Sequence, residues 1–262
     1  MRRHPDGVRP RPSGRLERAR APLTPSARLR CDLVFRLLEE LPDARSFLEI
    51  GCGQGALASL LAKRYDYRGY EPDARSCVVA ERRLAAAGAG LVVNGIPPPA
   101  PDRAFDLAGA FEVLEHLDDD AAALASWVRW IRPGGHFLLS VPAHPERFGA
   151  ADRYVGHVRR YTRDGLARVM EGAGLTAVRI VSYGFPLGYV LEWGRNAVLG
   201  LRETRAPRRS DAGTHASGRT LQPGDAWAPL VWAAMLPFQY AQRPFARGDL
   251  GTGYVAVGRR LK

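Results

Sequence analysis

A short apolar run ending in an acid leads directly into three glycines at alternate positions in FLEIGCGQGA, residues 47–56. Gly51, Gly53 and Gly55 can adopt backbone conformations that other residues avoid, so the chain turns tightly there and its amides come close to whatever lies above. A strand, such a turn and a helix open an α/β unit whose ligand sits beyond the strand's carboxyl end. The first amides of the helix favour an anionic group, carboxylate or phosphate. Two ligands satisfy this turn. G-x-G-x-G after an acidic strand end suits S-adenosylmethionine, whereas Gly51, Gly53 and Ala56 satisfy the dinucleotide fingerprint. Both also want an acid at the end of the second strand to bind ribose, and Glu71 is placed for that, 20 residues after Gly51. The turn alone leaves both open.

The surrounding pattern alternates. Leu29, Leu33, Leu37 and Leu41 recur at helical spacing before Pro42. Strands are expected at 46–50, 67–71, 91–93, 105–111 and 136–141, with helices at about 54–64, 73–87 and 119–131 between them. Asp118, Asp119 and Asp120 suit the start of the last of these helices, and Pro133-Gly134-Gly135 reads as a tight turn into the fifth strand. Strict alternation predicts an α/β fold with a parallel sheet and helices on both faces. Further on, a loop at 142–161, a helix at about 163–172, a strand at about 175–182, helical segments at 185–201 and 225–240 and a last strand at about 252–258 are expected.

Charge and cysteine content narrow the setting. The formal net charge is +11, and residues 1–30 hold nine arginines against only Asp6 and Glu17. The excess therefore concentrates in one terminal arm, which reads as solvated rather than as a nucleic-acid surface. Cys31, Cys52 and Cys77 are too widely spaced for a metal motif or a disulfide framework, so no metal is expected and a reducing cytoplasm fits. No apolar run reaches the roughly 18 residues of a spanning helix. The chain divides into a basic arm (1–23), a core (24–183), a lid or substrate-binding insertion (184–247, with a polar, mobile stretch at 202–224) and a final core strand (248–262).

Four blocks separate the two ligands. LEIGCGQG (48–55), YEPD (70–73), FDLAGAFEVLEHLDD (105–119) and WIRPGGHFLLSVP (130–142) occur in the order of the class I S-adenosylmethionine-dependent methyltransferases. The chain resembles their small-molecule, ubiquinone-biosynthesis-like subgroup, and GHVRRYTRDGLARVMEGAGL (156–175) is similar to a further block of bacterial members. The resemblance implies a Rossmann-like doubly wound sheet of seven strands, mostly parallel with an antiparallel last strand. It also implies S-adenosyl-L-methionine as cofactor. Glu49, Gly51, Gly53 and Gly55 would face its methionine part, Glu71 and Pro72 its ribose, and Asn94 and Gly95 its adenine, while Phe111 and Glu112 would line the pocket. The family often has an acid where Asn94 stands; the Asn carbonyl can still accept a hydrogen bond.

Methyl transfer from a sulfonium is an in-line displacement served largely by positioning and desolvation. A hydroxyl acceptor also benefits from a base. His116, in EVLEHL, and His157, in GHVRRY, are the candidates, with His144 weaker. Arg160, Tyr161 and Tyr183 are substrate-contact candidates. Late aromatics, among them Tyr189, Trp193, Trp227 and Tyr240, suit an apolar or aromatic acceptor, or contact with a membrane surface. The expected function is O-methylation of a small molecule by a cytoplasmic monomer or homodimer. N- or C-methylation, a nucleic-acid substrate, a nicotinamide enzyme and a non-catalytic member of the fold are the alternatives.

Overall fold

The computed structural model describes residues 21–98, 104–203, 224 and 226–261. The expected basic arm lies outside these residues up to position 20, as do most of the polar stretch at 202–224 and part of the proline-rich loop. Helix α1 (Pro25–Glu39) starts at Thr24, whose hydroxyl accepts from the Ala27 amide, and has Pro25 in its first turn. The chain continues through β1 (Ser46–Ile50), α2 (Ala58–Leu61), β2 (Asp66–Glu71), α3 (Ala74–Ala87), β3 (Leu91–Asn94) and β4 (Phe105–Phe111). Then follow α4 (Asp120–Val128), β5 (Ile131–Pro142), α5 (Ala150–Val155), α6 (Arg163–Gly172) and β6 (Leu175–Tyr183). Helices α7 (Leu187–Glu203) and α8 (Ala228–Gln242) precede β7 (Gly253–Arg260).

Seven strands form one sheet in the order β3-β2-β1-β4-β5-β7-β6. All pair in parallel except β7, which runs antiparallel to both β5 and β6. Side chains alternate between the two faces, as the strand period requires. Phe47, Leu138 and Val255 join the core cluster that includes residues of α1, α2 and α3. Leu48, Phe137, Leu139 and Tyr254 join the cluster under α4 and α6. Because β1 is buried on both faces it reads as a continuous apolar run interrupted only by Glu49. Three expectations change in detail. The loop expected at 142–161 carries helix α5 (Ala150–Val155). Helix α2 is a single turn rather than the span 54–64, because the glycine turn extends further. The Pro133-Gly134-Gly135 turn is absorbed into β5 as an irregularity: Phe105 faces Ile131, but Leu107 already faces His136.

Asp106 ties the amino ends of three strands together. Its Oδ2 accepts from the amides of Arg45 (2.7 Å) and Ser46 (3.0 Å), while Oδ1 pairs with Arg132. Burial pushes this carboxyl up, but the amide and guanidinium donors outweigh it and hold it below its usual value of 3.8. That stability is present above 3.8 and is lost as pH falls. Asp106→Ala is expected to cost about 1–2 kcal/mol at neutral pH, moderated by partial solvent screening. Urea midpoints should fall accordingly, and the gap between variant and parent should narrow at pH about 3.

Candidate functional site

The strand order reverses direction between β1 and β4, and the crevice beyond their carboxyl ends is where open α/β sheets bind ligands. Gly51, Gly53 and Gly55 all have positive φ, at 71°, 56° and 77°. A Cβ on Gly55 would stand 2.9 Å from the Ala80 Cα, so this glycine lets α3 pack against the turn. Gly53 differs: nothing lies within 4 Å of where its Cβ would be, so its face of the turn is open. Glu71, buried at the end of β2, braces the turn from below. Its Oε2 accepts from the Gly53 amide at 2.7 Å and its Oε1 from the Asp73 amide at 2.9 Å. Beside it, the Asn94 amide group donates to the Glu71 carbonyl at 2.9 Å, which turns its own carbonyl oxygen the other way. Gly95 has open space around its missing side chain, and Pro72 is exposed.

Glu49 is fully enclosed, and burial raises its carboxyl to about 7 against the opposing hydrogen bond from Tyr67 and the charge of Arg30. The Tyr67 hydroxyl donates to Glu49 Oε2 at 2.7 Å. Arg30, reaching in from α1, also pairs with Glu112 Oε1 at 3.3 Å. Glu112 sits in a left-handed conformation (φ 59°) just past β4. Its Oε1 accepts from the hydroxyls of Ser140 (2.9 Å) and Tyr183 (3.2 Å). Burial alone would raise the Glu112 carboxyl; Arg30, His157 and these hydroxyls together hold it below the usual range. Phe111 turns its ring into the core, stacked on Phe47 at 6.5 Å.

A second group of side chains stands one turn beyond β4. A Cβ on Gly51 would meet the Val113 side chain at 2.5 Å, and Val113 leads into the short helical turn Leu114–His116. The His116 and His157 rings lie edge to face with centroids 4.8 Å apart. His157 Nδ1 is 2.8 Å from Asp152 Oδ1, and His116 Nδ1 is 3.1 Å from the Gly156 carbonyl. Both partners can only accept, the carboxylate in its ionised form, so each Nδ1 carries a proton, and the neutral form of either ring has its lone pair on Nε2. Glu115 is completely buried, and neither of its carboxyl oxygens has a hydrogen-bond partner. His157 Nε2 stands 3.6 Å from Glu115 Oε1. Burial, then the nearby Glu112 charge, pushes the Glu115 carboxyl well up, while burial and His157 lower His116.

Asp152, in α5, is the hub of the segment after β5. It accepts from Arg160 Nε (2.9 Å) and Nη2 (2.7 Å), from the Gly149 amide (2.8 Å) and from His157. Arg160 also meets Glu192 of α7 at 2.6 Å, and Glu192 in turn pairs with Arg147. The Tyr161 hydroxyl donates to Asp120 at 2.7 Å. The polar groups of Arg160 and Tyr161 are thus committed to internal partners, and Tyr183 is 6% exposed with its hydroxyl on Glu112. His144 pairs with Glu146 and packs near Tyr254.

The structure brings Glu49, Gly53, Glu71, Glu112, His116 and His157 to one end of the sheet. Residue patterns did not single out Arg30, Tyr67, Glu115 or Asp152. Glu115 lies inside EVLEHL and was legible there as an acid beside a histidine. Nothing in the spacing of α1 marks Arg30 as an inward-reaching side chain.

Comparison with known proteins agrees with this geometry. A family described as a methyltransferase domain matches residues 23–180. An uncharacterized methyltransferase of Mycobacterium sp. (strain JLS) is 30% identical over 201 residues, covering 68% of this chain and 79% of that protein. A ubiquinone biosynthesis O-methyltransferase of Alkalilimnicola ehrlichii is 32% identical over 118 residues, 43% of this chain and 47% of that enzyme. The chain thus spans about half the length of this second relative. Among solved structures, phosphoethanolamine N-methyltransferase 2 of Haemonchus contortus, bound to S-adenosyl-L-methionine, superposes with a TM-score of 0.53 at 14% identity, over 89% of this chain and 53% of that one. The cyclase SpnF gives 0.54 at 19% identity, over 90% and 83%. At these identities the structural likeness concerns the fold alone. No helix among the described residues is long and apolar enough to cross a membrane. The chain belongs to the methyltransferase-domain family and is an S-adenosylmethionine-dependent methyltransferase.

Proposed function

We propose that the enzyme transfers the methyl group of S-adenosylmethionine to a hydroxyl of an apolar or aromatic small molecule in the cytoplasm. The observation that carries this reading is the placement of two imidazoles beside an unpartnered carboxyl, one valine away from the glycine turn. An amine acceptor can surrender its proton after transfer, whereas a hydroxyl gains from a group that takes or replaces that proton during attack. The relatives named as ubiquinone biosynthesis O-methyltransferases support an oxygen acceptor. Glu49 and the turn at Gly51–Gly55 hold the methionine part of the cofactor, Glu71 and Pro72 its ribose, and Asn94 and Gly95 its adenine. His157 and His116 serve the acceptor. Arg160 and Tyr161 fix the loop that carries His157, and Glu112 with Tyr183 closes the floor beneath.

The described residues of 24–183 and 248–262 form the core in this reading, and the described residues of 184–247 cover the acceptor. Exposed Trp193, Trp227 and Tyr240 on and beside α7 and α8 support an apolar acceptor. Methyl-labelled S-adenosylmethionine offered with panels of phenols, alcohols and amines tests the choice of atom. Label recovered only on nitrogen would refute it.

Two further outcomes are expected. Glu71→Ala removes both the brace of the Gly53 amide and the ribose acceptor, and should weaken S-adenosylmethionine binding by about tenfold or more in calorimetry. Glu49 introduces a pH dependence. Its folded value, about 7, lies above the reference 4.5, so in the unliganded protein its stabilising contribution is present below 4.5 and is lost as pH rises through about 7. The cofactor's sulfonium and ammonium charges pair with the ionised form. Affinity should therefore increase as pH rises through about 7, and Glu49→Gln should flatten that rise.

A further inference from the structure

We propose that Glu115, His116 and His157 together bind one divalent first-row transition cation. Each of these residues offers one ligand atom, and the three atoms lie within 4.8 Å of one another. Each Nδ1 is tied to an acceptor, so Nε2 is the nitrogen that either histidine in its neutral form can turn to a cation, beside an oxygen of Glu115. An imidazole whose other nitrogen donates to a carboxylate or a carbonyl is the usual outer arrangement around metal-bound histidine, since it fixes both tautomer and ring direction. Asp152 supplies that carboxylate for His157 and Gly156 the carbonyl for His116. Asp152 is itself anchored by Arg160 and the Gly149 amide, so the ring is held from behind.

Glu115 is the independent observation that points to an occupant. It is 0% exposed and neither oxygen finds a hydrogen-bond partner, although His157 Nε2 faces it at 3.6 Å. A buried carboxyl in that condition is costly unless a proton or a cation neutralises it. Two imidazoles and one carboxylate favour zinc, cobalt, manganese or iron over magnesium or calcium, which prefer all-oxygen sites. With bonds of about 2.0–2.2 Å, the three donors must draw together by roughly an ångström, leaving at least one coordination position open.

Only the role of the cation rests on the oxygen transfer proposed above. An acceptor hydroxyl at the open position gives its proton to water because the cation lowers its pKa. Its oxygen electron pair then forms the bond to the methyl carbon, and the pair of the breaking carbon–sulfur bond stays on sulfur. The histidines act here as ligands, and the cation does the work that a free imidazole base would otherwise do.

The test uses the full chain, stripped by a chelator and titrated with ZnCl2 against a chromogenic competitor. One equivalent is expected per chain, and CoCl2 should give visible bands of nitrogen-ligated cobalt. Glu115→Gln, His116→Ala and His157→Ala should each weaken uptake at least tenfold. Calorimetry with S-adenosylhomocysteine identifies variants that remain folded and reports on the cofactor site separately. The proposal is overturned if the parent takes up no cation, if its cobalt form lacks those bands, or if variants that still bind S-adenosylhomocysteine bind zinc as tightly as the parent. A parent that binds zinc but not S-adenosylhomocysteine would sink the cofactor assignment and leave the cation site standing.

Discussion

Parallel pairing of β1 between β2 and β4 sets three carboxyl groups side by side at one end of the sheet. Glu49 and Glu71 lie on β1 and β2, Glu112 follows β4, and Glu115 adds a fourth one turn later. Each is buried or half-buried, so each costs free energy unless a donor faces it. Most of the local architecture answers this demand. The Gly53 and Asp73 amides face Glu71, Tyr67 faces Glu49, and Arg30, Ser140 and Tyr183 face Glu112. Glu115 is left without such a donor, which is why it stands out from the other three.

The alternation of strands and helices was legible because the central strands β1, β4, β5 and β7 bury residues on both faces and the helices bury one. Every core strand from β1 to β7 appears within a few residues of where apolar runs and turn residues put it. The departures have local causes. Three alternate positive-φ glycines delay α2, and the Pro-Gly-Gly element bulges within β5 instead of preceding it. The methyltransferase family, and with it the cofactor, was legible from blocks that recur in fixed order.

The partners of the site were much less visible. Arg30 reaches Glu112 from a helix more than seventy residues earlier in the chain, and Asp152 gathers His157 and Arg160 through a loop with no regular period. Such contacts depend on how α1 and the loop after β5 lie across the strand ends, and no spacing rule encodes that. Arg160 and Tyr161 illustrate the reverse case. Their position on a loop over the crevice suggested substrate contact, yet internal acceptors take up their donors. A polar side chain near a site is first claimed by whatever buried charge lies closest.

Helix α1 has a second set of ties, at the opposite end of the sequence. Arg28 donates to the Ala228 carbonyl, Gln242 donates to the Leu29 carbonyl, and Arg243 pairs with Asp32. Gln242 also accepts from the Gly184 amide at the end of β6. Helices α1 and α8 therefore form a single clasp, and Arg30 is the tooth by which that clasp grips the floor of the crevice. Any displacement of α1 would therefore break its ties to α8 and its ion pair with Glu112 together, so the position of this helix and the charge balance at the strand ends are linked.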